Sequence, residues 1–358
     1  MQNERNQNTG VTFTLLGFSE YPDIQLLLFL VFLTIYIVSV LENLDMILII
    51  RINCKLHTPM YFFLSHLSFV DFCYTSVIAP NLLNLLLVED KTISFKGCMP
   101  QYFFGCTSVI TEMFMLAVMA YDCFVAVCNP LLYTTAVSHK LCAFLVALTY
   151  IWAGIFSSTL TYILWQLSYC GSNITNHFCC EYFALLSVSY SDTSFSQMAC
   201  LVISMFNEAC CLLIIMTSYV FIVVTVIKIP SKGGLQKAFS TCASHLTAIC
   251  ICHGIVLVLY CVLKSKSSLF LVKVATVFHS MVIPMLNPLI YSLRNKDVKE
   301  TIRKLIYIKL IYIFTQHFFP FSFIIHMPLS GVREVLKAKS TVTILSQTLQ
   351  DSALLWVS

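Results

Sequence analysis

Residues 24–50 read IQLLLFLVFLTIYIVSVLENLDMILII, and from Leu26 to Leu41 the stretch carries no charge. As a helix it is long enough to cross the ~30 Å hydrocarbon core of a bilayer. Six more charge-poor runs follow, at 59–87, 99–128, 141–167, 195–227, 238–263 and 274–293. In lipid only helices and closed barrels satisfy their own backbone, and runs of this length read as helices. Composition agrees: 58% of the 358 residues are hydrophobic and 11% charged, against roughly 45–50% and ~25% in soluble domains. The net charge of +4 is spread thinly, so there is no basic patch for nucleic acid. The sequence predicts an all-α membrane protein, a seven-transmembrane helix bundle.

Seven spans put the two ends on opposite sides of the membrane. Arg51, Lys55, Lys140, Lys228, Lys232, Lys237, Arg294, Lys296, Lys299, Arg303 and Lys304 fall on one side, eleven in all, against six on the other. The positive-inside rule then predicts an N-terminus outside and a cytosolic C-terminus. The expected organisation is an extracellular tail (1–23), the bundle (24–293), a short amphipathic cytoplasmic eighth helix (294–304) and an atypical C-terminal tail (305–358). The first 20 residues lack a basic n-region and an apolar h-region, so no cleavable leader is expected. Seventeen cysteines are an odd number, and most, such as Cys210, Cys211, Cys250 and Cys252, sit in apolar runs as small hydrophobes. No internal repeat, phosphate loop or His-Glu-x-x-His zinc motif occurs, which disfavours a transporter and gives no sign of an enzyme.

Four motifs carry a resemblance. LHTPMYFFLSHLSFVD (56–71), MAYD (119–122), KAFSTCASH (237–245) and PMLNPLIYSLRNK (284–296) stand in order. Over roughly residues 10–304 the chain resembles the tetrapod-type odorant receptors, which belong to the rhodopsin-like G-protein-coupled receptors. The resemblance implies a multi-pass protein of the cell membrane's lipid bilayer. It would bind a small volatile odorant within the bundle and couple to a heterotrimeric olfactory stimulatory G protein.

Site residues follow from the same source. Asp71 and Glu112 are mid-span acids, each costing about 2.5–3.5 kcal/mol unless partnered. The resemblance places them, with Asn43 and Asn287, around a buried sodium ion or water cluster. A hard cation would find oxygen ligands there; a protonated acid pair is the alternative. Asn287-Pro288 would be an activation hinge, with Tyr291 swinging toward Tyr219, or else a static kink. Cys106, Val109 and Ile110 share a helix face, as do Ile203 with Asn207, and His253, Val256, Leu257 and Tyr260. These nine are the expected ligand contacts, about half of them accounted for by ordinary packing. Position 105, where an amine receptor carries an acid, is Gly, and no lysine follows Lys273 in the seventh span to hold retinal.

The family pairs the cysteines at the positions of Cys98 and Cys180, tying a loop over the pocket. Asn173-Ile174-Thr175 is a glycosylation sequon in that loop. His177-Phe178-Cys179-Cys180-Glu181 also offers soft ligands for copper, although a disulfided Cys180 cannot be one, and structural use is favoured. Four departures stand out. Cys123 replaces the Arg that follows Asp122 in the family, Glu42 and Asp45 add mid-span acids, Tyr190 replaces a loop cysteine that would pair with Cys170, and the tail runs on through the apolar stretch 305–325. They raise a second reading, a decayed and non-signalling receptor copy.

Overall fold

The computed structural model describes residues 10–19, 22–88, 90–170, 173–228, 232–262 and 269–292. The expectations for 294–304 and 305–358, and the side chain of Tyr260, lie outside them. The helices are α1 (Gln25–Ile52), α2 (Pro59–Leu87), α3 (Phe95–Cys128), the short α4 (Tyr133–Ala136), α5 (His139–Trp165), the short α6 (Tyr182–Ser187), α7 (Ser194–Ile227) and α8 (Lys232–Val262). The last span is α9 (Leu269–Val277), a π turn (Phe278–Val282) and α10 (Ile283–Ser292). Together these make the seven crossings of the expected bundle. Helix α3 is its axis and packs against α2, α5, α7 and α8, while α1 closes on α2 and α10.

Local chemistry sets the helix starts. Pro59 opens α2 at a position whose N–H has no intrahelical partner. Ser94 caps α3 by accepting from Gly97 N–H at 3.2 Å, and Ser138 does the same for α5 through Leu141. The bundle is polar at its heart and apolar outside. Leu26, Leu213 and Met216 face outward, while Ser39, Asn43, Asp71 and Glu112 are buried.

Among the described residues six helices are long and apolar enough to cross a membrane, and α8 is apolar over His245–Leu259. Its first turns carry Lys232, Lys237 and a Gly pair, so the 31-residue helix outruns the bilayer at about 1.5 Å per residue. The predicted tail 1–23 also contains a strand. β1 (Thr12–Leu15) pairs antiparallel with β2 (Thr92–Ser94) and parallel with β3 (Ile174–Thr175), giving the order β2-β1-β3. The Thr-Phe-Thr-Leu alternation turns Phe13 and Leu15 into the core of this cap. Gly17 then turns the chain with a φ of 54°, where a side chain would be strained, and donates its N–H to His177 O.

The seventh span holds an internal repair. Pro288 has no N–H, so the carbonyl four residues back, that of Pro284, has no helical donor. Asn43 Nδ2 fills the gap from α1, donating to Pro284 O at 2.8 Å and to Ser39 O at 2.9 Å. We expect Asn43→Ala to cost about 1–3 kcal/mol, the toll of one buried unpaired carbonyl, read as a lower thermal midpoint in detergent. In a Pro288→Ala background the returning N–H pairs that carbonyl, and the cost of Asn43→Ala should shrink. Equal losses in both backgrounds would refute the pairing.

Candidate functional site

A disulfide, Cys98–Cys180 with Cα atoms 5.5 Å apart, fastens the segment between α5 and α7 to the start of α3. Gln101 reinforces the join: its Oε1 accepts from Cys180 N–H at 3.1 Å and its Nε2 donates to Val77 O at 3.2 Å. Glu181 caps α6 by accepting from Ala184 N–H at 2.8 Å. That bond and the disulfide give Glu181 and Cys180 the structural use favoured over copper. Cys179 Sγ lies 3.4 Å from His177 Nδ1 in the packed interior of the cap, where burial pushes the thiol up. The sequon is woven into the sheet: Asn173 O accepts from Thr14 N–H, and Thr175 is buried.

Beneath this roof lies a cavity of about 210 Å³. Tyr74 and Ile78 of α2, Tyr102, Cys106 and Val109 of α3, Val256 of α8 and Val272 of α9 form its walls, with Gln101, Glu181, Ser204, Thr276 and His279 as polar points. Apolar walls with a few convergent polar groups suit a small organic ligand. Gly105 lines the same cavity and contributes no charge.

Of the nine expected contacts, Cys106, Val109 and Val256 line the cavity. The other described positions do not. Ile110 follows Val109 by one residue, which turns it about 100° around the helix and buries it elsewhere. Leu257 follows Val256 in the same way and faces outward. Asn207 turns to α5, accepting from Trp152 Nε1–H at 2.8 Å while donating to Ile203 O. Ile203 packs into the cap-side core. His253 pairs with Glu208, its Nδ1 3.1 Å from a carboxylate oxygen. Glu208 is absent from the sequence reading, although a mid-span acid is itself a signal.

The polar core lies deeper. Asn287 Nδ2 donates to Asp71 Oδ2 at 3.0 Å and to Glu112 Oε1 at 3.1 Å. Asn43 is not among these contacts, because its amide nitrogen serves the Pro284 carbonyl. Asp71 Oδ1 and Glu112 Oε2 are buried without hydrogen-bond partners. Two carboxylates held by one amide in a dry interior call for a shared proton or a cation, so their oxygens suit a sodium ion. Further along, His245 lies between Leu116 O, 3.1 Å from Nε2, and Tyr219 O–H, 2.9 Å from Nδ1. A carbonyl can only accept, so Nε2 carries the proton and Tyr219 donates to Nδ1. Tyr219 is thus engaged with His245, and the Tyr291 hydroxyl is buried without a hydrogen-bond partner. Asp122 accepts from Tyr133 O–H at 2.9 Å, and Cys123 beside it is half-buried.

His177 gives the cap a pH dependence. Burial, helped by the Lys273 charge, lowers its pKa from 6.5 to about 3. Lys273 itself donates to Gly17 O at 2.8 Å and to Asn176 Oδ1. Between pH 6.5 and 3 the unfolded chain therefore binds more protons at this position than the folded one. Stability should fall as the pH drops through that window, by at most about 1.4 kcal/mol per pH unit from this group, and be complete above it. We expect the thermal midpoint to drop between pH 7 and 5, and His177→Gln to reduce that drop. An unchanged drop would remove His177 from the account.

A family profile described as olfactory receptor matches residues 32–309. Olfactory receptor 1165 of Mus musculus is 67% identical over 305 residues, 85% of this chain and 96% of its own. Olfactory receptor 5D18 of Homo sapiens is 60% identical over 303 residues, with the same coverage of 85% and 96%. The crystal structure of squid rhodopsin matches with a TM-score of 0.61 at 17% identity, covering 84% of this chain and 89% of that one, a likeness of fold. The chain belongs to the olfactory receptor family: it is a rhodopsin-like, multi-pass receptor of the cell membrane, not an enzyme.

Proposed function

We propose that this receptor takes a small, largely apolar volatile with one hydrogen-bonding group and couples it to an olfactory stimulatory G protein. The observation that carries the ligand class is the cavity under the disulfide-held roof, apolar on its walls with Gln101, Ser204, Thr276 and His279 set among them. Its ~210 Å³ is below the roughly 300 Å³ at which pockets for drug-sized ligands begin. Odorant binding shifts the resting equilibrium only through contacts that differ between states. The His245 bridge, which joins α8 to α3 and α7, and the Asn287-Pro288 segment are the elements we assign to that change. A sodium ion at Asp71 and Glu112 would favour the resting arrangement by satisfying the two unpartnered oxygens.

Cys123 weakens the output. In the family the Arg at this position pairs with the neighbouring acid at rest and meets the G protein when active. Here Tyr133 already bonds Asp122, so the resting acid keeps a donor, and what is lost is the charged contact in the productive complex. A thiol supplies neither the charge nor the fork of donors. A decayed copy is the second reading, favoured by Glu42 Oε2, a buried carboxylate oxygen of α1 without a hydrogen-bond partner.

Two outcomes are expected. Cys123→Arg, at equal surface level and with the chain ended near Lys304, should raise the odorant-evoked cyclic-AMP response about tenfold or more, the worth of one charge-assisted bond. A full response from the unaltered receptor with no gain in the variant would overturn the Cys123 argument. No response from either would favour decay. The orientation is tested by the exposed thiols Cys54 and Cys170, which lie at opposite ends of the bundle. A membrane-impermeant maleimide on intact cells should label the receptor through Cys170, and Cys170→Ser should abolish labelling. Loss on Cys54→Ser instead would invert the topology.

A further inference from the structure

We propose that Glu112, Cys252 and His279 form a zinc site that ties α3, α8 and the π turn together at the floor of the cavity. Each of the three offers a donor atom, all these atoms lie within 4.8 Å of one another, and all three side chains are buried. Cys252 Sγ and His279 Nε2 are 3.9 Å apart. Tetrahedral zinc with bonds of 2.0–2.3 Å sets its donors about 3.5 Å apart. That pair is nearly in place, and the carboxylate has to close by about 1 Å.

The donors are disposed for the task. Glu112 Oε1 is held by Asn287 at 3.1 Å, while Oε2 is fully buried with no hydrogen-bond partner. A ligating carboxylate steadied through its other oxygen is the usual outer-shell arrangement of a metal site. The π turn, which inserts one residue into the last span, carries His279, and Tyr74 packs edge-on against the ring with centroids 5.8 Å apart. Charge favours zinc over a monovalent ion at these atoms. A thiolate, a carboxylate and a neutral imidazole bring two negative charges, which the dication cancels, and a neutral cluster is the cheapest to keep in a dry interior. Soft sulfur with imidazole also selects zinc over sodium, magnesium or calcium. His279 lines the cavity, which gives the ion a way in. Three protein donors leave the fourth position to water.

The site shares Glu112 with the Asp71–Asn287 contact, so zinc here and a sodium ion there are alternatives that compete for one carboxylate oxygen. Zinc would stabilise the arrangement described here by mass action and hold α8 against α3 below the ligand.

The test uses the full-length receptor in nanodiscs, its Cys98–Cys180 disulfide intact and free of chelator, loaded with Zn²⁺ or with Co²⁺ as a spectroscopic stand-in. Cobalt should give tetrahedral d–d bands and a thiolate charge-transfer band, both displaced by zinc. Cys252→Ser should abolish the charge-transfer band, and His279→Gln and Glu112→Gln should each weaken zinc binding about tenfold or more. Asp71→Asn should leave the charge-transfer band intact. X-ray absorption at the zinc edge of the unaltered receptor needs no variant to fold. It should show one sulfur near 2.3 Å with nitrogen and oxygen neighbours near 2.0–2.1 Å. A charge-transfer band that survives Cys252→Ser, a zinc shell without sulfur or with several sulfurs, or no zinc retained would each overturn the proposal.

Discussion

Water is not at hand inside a bilayer, so every polar group that enters the bundle has to find its partner there. Much of the architecture follows from this one constraint. Pro288 leaves a carbonyl bare, and Asn43 reaches across from another helix to cover it. Two carboxylates stand in the middle of the bundle, and a single amide, that of Asn287, serves both. Glu208 and His253 resolve each other's burial by pairing. These contacts link α1 to α10, α2 and α3 to α10, and α7 to α8. Helix order in the bundle is therefore specified by polar partners, while the apolar surface, much alike on every helix, supplies little discrimination.

The fold was largely legible because its signal is length and polarity. The span 59–87 has the bounds of α2, and 195–227 differs from α7 by one residue. The cavity was much less so. A shared face on a helix says that residues meet something, and not whether the neighbour is a ligand, another helix or lipid. Asn207 found Trp152, and Leu257 found the outside. Residues that close the cavity from the loop, such as Glu181 and Tyr182, carry no periodic signal. Neither does β1, four residues whose alternation is too brief to separate from chance. Glu208 was readable by the same rule that singles out Asp71 and Glu112.

The two ends of the bundle are built differently. At the roof, strands, a disulfide, and the buried Lys273 and His177 lock loops to helices through many backbone contacts. Among the described residues the far end is joined by side-chain bonds, Tyr133 to Asp122, Tyr219 to His245 and Cys128 to Thr225 among them. Each such bond is worth only about 1 kcal/mol net, so a modest difference in free energy suffices to exchange one partner for another. A stiff roof with a loosely latched base suits a protein that must hold a ligand at one end and rearrange at the other.

The small sheet also has a history. β1 cannot meet its parallel partner until the ribosome has made β3, and Thr14 and Thr175 are 161 residues apart. At translation rates of roughly 5–20 residues per second, that strand waits on the order of ten seconds or more with its edge unpaired. During that interval the first four spans enter the membrane without a finished roof, and Phe13 and Leu15 lack the part of their core that comes from the loop after α5, Tyr169 for the one and Phe178 for the other. The cap is complete only once Lys273 of α9 reaches Gly17 and Asn176, so it is among the last parts of the described fold to be assembled. A quality-control system that senses exposed apolar strands would find its longest-lived target there, at the very start of the chain.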